Sequence, residues 1–523
     1  MINLRKAAVA APAIAANPRQ PAERTVDNGQ HNTGAVKALG QLIEPLGLAL
    51  DDVGGSVDIF GYDPLFSSCV RLGEAFSIAA MAAAVGAAAI WRERTGHGQD
   101  LSIDIRQAAH GISPELTFHP TINGHPYPNW MGNSHPFTIF PYKTGDGRWV
   151  YPSGVYPHQH QAWSNFFNCG ISHANIAAAI AKWNAEELEE AANAQGHTLC
   201  IARSPEEWLA HPQGLYLSQE PVIAVRKIGE SEPEPFRHAD QPLGNVKVLS
   251  LTHAVAGPVV GRTLAEQGAD VLSVNDRDDF EHDWVYDDAN AGHQSTFLGL
   301  DDARDHRICR DLAGGADVFV ENYRGRKLAR RGFSPEELAS LRPGIIVVSV
   351  RCYGWGGPWF DRGGFDMLGS AASGLAVLEG ANGMPSMPPT GLINDYITGY
   401  MGAAGATAAL LKRAKEGGSY HVTVSLTRCA MWYQSLGLVP ESERTFAKNH
   451  YRKIWNLSET DLPKIMRDLK SRLLEPQALN SDTPLGKLRR LAPAVRYSMT
   501  PARWNDPILV PRGSSAARWR TMA

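Results

Sequence analysis

From Leu243 onward the chain alternates between two kinds of segment. VKVLSL, ADVLSV, ADVFVENY and IIVVSV are short apolar runs rich in β-branched residues. Between them lie stretches with helical spacing, VVGRTLAEQG and DDARDHRICRDLAGG among them. Continuous apolar runs of this length read as strands buried on both faces. Strands alternating with helices fold as right-handed βαβ units, so the sheet is open and mostly parallel. STFLGL reads as one more possible strand in the series.

Ligands on such a sheet sit beyond the carboxyl ends of its strands. Here those ends are THAVAGP (252–258), VNDRDD (274–279), ENYRGR (321–326) and RCYGWGGP (351–358). The first loop lacks the GxGxxG spacing, and the second strand ends in Asn275 where a ribose-binding acid belongs. A conventional NAD site is therefore disfavoured.

The rest of the chain organises around this region. Residues 1–54 read as a tail and a short helix ending before Pro45, and 55–240 as a mixed region with an Ala-rich helix over Glu74 to Arg94. Residues 228–242 are polar and Pro-rich, a linker signature. Residues 241–436 hold the α/β pattern, and 437–523 read as C-terminal helices and a closing segment. One repeat crosses these boundaries. NDYITGYMGAAGATAALLKRAKEGGSYHVTVSL matches GEAFSIAAMAAAVGAAAIWRERTGHGQDLSIDI without a gap, at a constant shift of 321 positions (395 − 74). Asp395 falls opposite Glu74.

Net charge is −4 with no dense basic block, which argues against nucleic acid. The six cysteines form no CxxC pair, so neither a zinc knuckle nor a disulfide framework is indicated, and a reducing, cytoplasmic setting fits. No apolar run is both long enough and rich enough in large residues to suggest a membrane span. The N-terminal MINLRKAAVAAPAIAA is compatible with a weak targeting peptide or a tail.

One acid stands apart. In TGLINDYITGYMGAAGATAALL, Asn394-Asp395 sits at the mouth of a helix of small residues, with no basic residue until Lys412. A helix-start acid is ordinarily a cap or a partner of the helix dipole. Desolvated beside small residues, it is also a candidate nucleophile, with nearby glycines giving a thioester room to approach. His158 and His160 could bind metal from a strand, but a surface loop is the simpler reading, and no metal is expected. Tyr142 and Asp146-Gly147-Arg148 read as a turn that could form part of a pocket wall.

Read in order, LGNVKVLSLTHAVAGPVVGRTLAEQGADVLSV, GADVFVENYRGRKLARRG, VSVRCYGWGGPWFDRGGFDMLGSAASGL and INDYITGYMGA resemble the first half of a class III CoA-transferase (CaiB/BaiF type). RERTGHGQDLSID, GNSHPFTIFPYKTGDGRWV and SPEEWLAHPQG resemble that family's second part, and APAVRYSMTPARWNDPILVPRGSSAARW its C-terminal end. The family's segments thus stand in rearranged order with one helix duplicated. LVPRGS at 509–514 also matches a protease-tag sequence, and the pattern continuing through it favours a native reading.

The resemblance implies a Rossmann-like domain plus a smaller α+β domain, interlocked in a homodimer unless the duplication replaces it. It implies coenzyme A as the group carried, an acyl-CoA and a carboxylic acid as substrates, and a covalent aspartyl-CoA intermediate on Asp395. Asn322, Tyr323, Arg324 and Arg330 match positions that hold the adenine and phosphate end, with Arg277 a weaker candidate. Val255 and Ala256 match the pantetheine or thioester site. Phe365 and Asp366 match an aromatic and an acid near the acyl group.

Two departures stand out. Where the family has a basic run before its third strand, this chain has Asn290-Ala291-Gly292-His293-Gln294-Ser295. Where related racemases carry a proton-shuttling His, it has Phe365. An epimerase, isomerase or lyase on the same fold, and a non-catalytic subunit, remain the alternatives. Glu74 reads either as a structural helix-start acid or as a second nucleophile.

Overall fold

The computed structural model describes residues 30–126, 135–444, 469 and 471–520. The N-terminal stretch carrying the targeting expectation lies outside them, as do residues 445–468.

The alternating region forms a seven-stranded sheet. Its order is His293–Phe297, Asp270–Asn275, Lys247–Leu251, Val318–Glu321, Ile346–Arg351, Ser419–Ser425 and Ala224–Gly229. The first six strands run parallel and the last is antiparallel. The order reverses between Lys247–Leu251 and Val318–Glu321, so a crevice opens between the loops that follow those two strands. The strand expected at STFLGL starts earlier and stops at Phe297.

The antiparallel edge strand comes from the region before the linker. The linker itself is tied down, because Arg94 donates to the carbonyls of Pro242 (3.2 Å) and Gly244 (3.0 Å). The closing segment is equally dispersed. Arg496–Tyr497 extends a small sheet with Val57–Phe60 and Leu101–Asp104, and the hairpin Ala478–Thr483/Gly486–Leu491 pairs with Thr121–Ile122. Leu509 in LVPRGS is fully buried, and Arg512 donates to the Asp276 carbonyl at 3.0 Å, so this stretch is part of the fold.

Local signals explain many element ends. Ser204 and Glu207 close a reciprocal capping box at the helix Pro205–Ala210, with Glu207 N–H to Ser204 Oγ at 3.1 Å and Ser204 N–H to Glu207 Oε2 at 2.8 Å. His158 and His160 lie on the helix Pro157–Phe167, not on a strand or loop. The Pro at its first helical position, Pro157, explains why a helix starts there.

Two 24-residue helices form the centre of the core: Leu72–Thr95 and Ile393–Glu416. Leu72–Thr95 is long and apolar enough to cross a membrane by length and composition, and its apolar stretch is wholly buried inside the protein. The glycines of Ile393–Glu416 serve packing. A Cβ on Gly399 would lie 2.5 Å from Val259, on Gly402 2.7 Å from Val260, and on Gly405 2.4 Å from Val422. Only glycine lets this helix lie so close to the Ala256–Ala265 helix and to the sheet. At Gly399, Gly402 and Gly405 the expected room for a thioester is instead room for neighbouring side chains.

Candidate active site

Asp395 occupies the first turn of Ile393–Glu416, whose preceding residue Leu392 gives no side-chain cap. Its backbone N–H donates to Oδ2 of Asp366 at 3.1 Å. Asp366 is almost fully buried at the start of the helix Asp366–Ala372. Asn394 secures it from the other side, its Nδ2 reaching the Asp366 carbonyl (3.0 Å), Asp366 Oδ1 (3.3 Å) and Ser370 Oγ (2.8 Å). Tyr433 Oη donates to Asn394 Oδ1 at 2.7 Å. Every polar atom of the Asn394 amide is therefore used to fix the helix mouth.

Burial pushes the Asp395 carboxyl up to about 7, opposed by the backbone N–H of Ala256. That N–H belongs to the first turn of the helix Ala256–Ala265, whose N-terminus favours negative charge. The Asp366 carboxyl is driven well above its usual range by burial first and by the Asp395 charge second. Two like acids this close do not both ionise near neutrality. The more deeply buried Asp366 keeps the proton, which leaves Asp395 to carry the charge.

The loop before Ala256 is held by several bonds. Ala254 has φ +58°, a left-handed conformation unusual for a residue with a Cβ. Its N–H donates to Glu281 Oε2 at 2.7 Å. Asn322 grips the neighbouring peptide from both ends, accepting from His253 N–H (3.1 Å) and donating to the His253 carbonyl (2.8 Å). These bonds aim the N–H of Ala256 at Asp395, with Val255 and Ala256 both buried.

A third group closes the site from the region before the linker. Tyr156 Oη lies 3.1 Å from His253 Nδ1 and 3.5 Å from Glu281 Oε1, and its ring packs 5.9 Å from that of Phe365. Burial, with the charges of Glu281 and Asp395, holds the Tyr156 hydroxyl well above its ordinary value, so it stays protonated. Burial lowers His253 to about 4, leaving it a neutral imidazole. Burial also raises Glu281, against the N–H groups of Ala254 and His282. A cavity of about 300 Å³ adjoins Glu281, lined also by Phe280, His282, Pro157 and His160.

The structure thus brings Asp395, Asp366, Phe365, Val255 and Ala256 together. It spends the Asn322 amide on the loop rather than leaving it open to a ligand. Tyr323 lies 5.5 Å ring to ring from His253, with Lys327 Nζ over its ring, 4.7 Å from the centroid. Arg324 is exposed and donates to the Gly196 carbonyl at 2.9 Å, and Arg330 is exposed. Arg277 stands apart, exposed and 5.8 Å from the Phe297 ring. Tyr142 bonds to the Pro136 carbonyl (3.0 Å), and Asp146-Gly147-Arg148 form a turn. His293, in the run that lost its cations, is buried against Gly261 and Ser273 and faces no strand-end loop.

Sequence reasoning missed Tyr156, His253 and Glu281. Tyr156 and Glu281 stand 125 positions apart, and no local pattern links them. The THAVAGP loop contained His253, but nothing in its spacing distinguished it.

An open sheet of this order, with a carboxylate presented beside the loop at its reversal point, is the frame of an α/β protein whose ligand crevice lies at the strand ends. The chain belongs to CoA-transferase family III, whose model matches residues 54–226 and 243–453. It is similar to the acetyl-coenzyme A transferase nodX of Hypoxylon pulicicidum, 38% identical over 208 residues (38% of this chain, 35% of that protein). An acyl-CoA transferase of Gibberella moniliformis is 30% identical over 369 residues (64% and 63%). The succinyl-CoA:glutarate CoA-transferase of Homo sapiens is 31% identical over 214 residues (38% and 49%). The matches span between about a third and two thirds of these relatives' lengths. A solved CAIB/BAIF family protein from Brucella suis aligns with 26% identity over 37% of this chain and 55% of its own, at a TM-score of 0.34.

Proposed function

We propose that this protein transfers CoA from an acyl-CoA to a carboxylic acid, with Asp395 as the nucleophile. The observation that carries this reading is the setting of Asp395. Its half-buried carboxyl is raised to about 7 by burial, is faced by the Ala256 N–H, and makes no ion pair among the described residues. A carboxylate stripped of water and left without a counter-ion is more reactive than one in solution.

The steps balance without an external acid or base. An Asp395 oxygen attacks the thioester carbon, the C–S bond breaks, and CoA thiolate leaves a mixed anhydride behind. The thiolate then attacks the Asp395 carbonyl carbon, and the donor acid departs as its carboxylate. The acceptor carboxylate next attacks the aspartyl thioester and releases the thiolate again. Finally the thiolate attacks the acceptor's acyl carbon, which forms the new acyl-CoA and frees Asp395. Each tetrahedral centre carries developing negative charge, and the Ala256 N–H is placed to meet it. The protonated Tyr156 hydroxyl holds His253 and Glu281, closing the site against water.

The CoA nucleotide end would lie at the crevice where the strand order reverses. A cavity of about 630 Å³ lies on the far side of the Val318–Glu321 strand, between the loops that follow it and Ile346–Arg351, lined by Arg326, Arg351, Trp355 and Phe360 among others. Phe365 carries no exchangeable proton, so the reading as a racemase gains no support from it. Replacing Asp395 with Asn tests the proposal: transfer between acetyl-CoA or succinyl-CoA and a panel of acids is expected to vanish while the far-UV spectrum is kept. Undiminished transfer in that variant overturns it.

A further inference from the structure

The two copies of the repeat meet face to face. Leu72–Thr95 and Ile393–Glu416 pack in register along their length. Phe76 stacks edge-on against Tyr400 (5.3 Å), Gly86 meets Thr407, and Glu93 pairs with Lys415 (3.2 Å). Gly86 and Thr407 are equivalent positions, because 407 − 86 gives the same shift of 321 that relates Asp395 to Glu74. A Cβ on Gly86 would lie 2.0 Å from Thr407 Oγ1, so the helices touch directly where a residue faces its own equivalent. Equivalent positions meeting each other are the mark of a two-fold, isologous contact.

The surroundings repeat as well. Each helix is followed by a strand, Leu101–Asp104 in one copy and Ser419–Ser425 in the other, paired in parallel to Val57–Phe60 and to Ile346–Arg351. Asp104 and Ser425, again 321 apart, both cap the next helix through their side chains. The acid sites match most closely. Glu74 N–H donates to Asp63 Oδ2 at 2.8 Å, as Asp395 N–H donates to Asp366 Oδ2. Asp63 stands in Gly61-Tyr62-Asp63, and Asp366 in Gly364-Phe365-Asp366.

The two sites differ in charge and in frame. Arg71 takes the place of Leu392 at the helix mouth and lies 3.6 Å from Glu74 Oε1. Asn32 Nδ2 and the Asp63 N–H also bind Glu74, each at 3.3 Å. Glu74 is thus neutralised and bonded where Asp395 is left charged and uncompensated. Its sheet has three strands in place of seven, with no reversal point to cradle a nucleotide.

Without its twin, Ile393–Glu416 would expose an apolar face that a second chain would have to cover. We infer that the first repeat is that second subunit's helix supplied within the chain: the protein is a fused pseudo-dimer with one working site, at Asp395, and a silenced twin, at Glu74. The site count rests on the transferase reading, and the assembly does not.

Two measurements on the full chain decide it. Sedimentation equilibrium across a dilution series is expected to give the mass of one chain, with specific activity independent of concentration. A two-chain particle that loses activity as it dissociates overturns the proposal. Hydroxylamine trapping after incubation with acetyl-CoA and succinyl-CoA, read by peptide mass spectrometry, is expected to modify only the peptide holding Asp395, to the same extent in Glu74→Gln. Modification at Glu74, or its loss in Glu74→Gln, also overturns the proposal. A single-chain particle trapped at neither acid refutes the chemistry proposed for Asp395 and leaves the pseudo-dimer standing.

Discussion

The backbone N–H of Asp395 donates to the buried carboxyl of Asp366 at 3.1 Å, so one acid holds the other in place. Burial keeps Asp366 protonated, and an amide there carries the same zero charge and can keep its oxygen toward the Asp395 N–H, at the cost of the weaker bond from Asn394. We expect Asp366→Asn to leave the midpoint of the pH–rate profile unchanged. A midpoint falling by a unit or more would show that Asp366 is ionised in the working enzyme, contrary to this account.

In the proposed reaction Asp395 must be ionised to attack, and burial raises its carboxyl to about 7. kcat/KM should therefore rise with pH through about 7 and level off above it, because that profile reports the free enzyme. A profile already flat between pH 5 and 8 would place the carboxyl at its ordinary value.

The same shift has a stability consequence. A carboxyl raised in the folded state favours folding of its protonated form, so ionisation costs stability as pH climbs from the unfolded value near 4 to about 7. Asp395→Asn should be more stable than the parent above pH 7 by about 1–3 kcal/mol, with the gap closing toward pH 4. Urea unfolding at both pH values checks the sign.

Asp288 lies against the helix Ile393–Glu416 and binds three groups. Arg262 Nη1 and Tyr396 Oη each reach its Oδ2 at 2.8 Å, and Arg490 lies 3.5 Å from its Oδ1. Asp288→Asn would leave two buried guanidinium groups with only Glu266 as a nearby countercharge. A loss of about 3–5 kcal/mol is expected, since breaking a buried pair strands its partner. A loss below 1 kcal/mol in chemical denaturation would mean that solvent already reaches this network.

At the helix crossing, Gly86→Val should destabilise the chain by about 1–3 kcal/mol through overpacking. Thr407→Ala should recover part of that loss, because it removes the hydroxyl at the contact. Strict additivity in the double-mutant cycle would contradict the contact.

The sheet was legible because its strands are buried on both faces and so appear as unbroken apolar runs. Its antiparallel edge, Ala224–Gly229, was not: AVRKIG carries Arg226 and Lys227, and its pairing is set by a partner almost 200 positions away. The helix-mouth acid was legible through its motif, and its lack of a cation was visible in the sequence itself. Asp366 was legible as a residue but not as a brace, since its bond to the Asp395 backbone depends on how two helix starts meet. Tyr156, His253 and Glu281 are brought together by long-range packing, which no periodicity encodes. The dispersed closing segment was hidden for the same reason, with Arg512 reaching the second strand's end from over 230 positions away.

The most direct test follows an oxygen atom. In the proposed sequence, the acceptor acid leaves one of its carboxylate oxygens on Asp395 when the thiolate takes its acyl carbon. After turnover with an acceptor acid labelled with heavy oxygen, mass spectrometry of the peptide holding Asp395 should find that label. Transfer that proceeds while this peptide stays unlabelled would contradict the account.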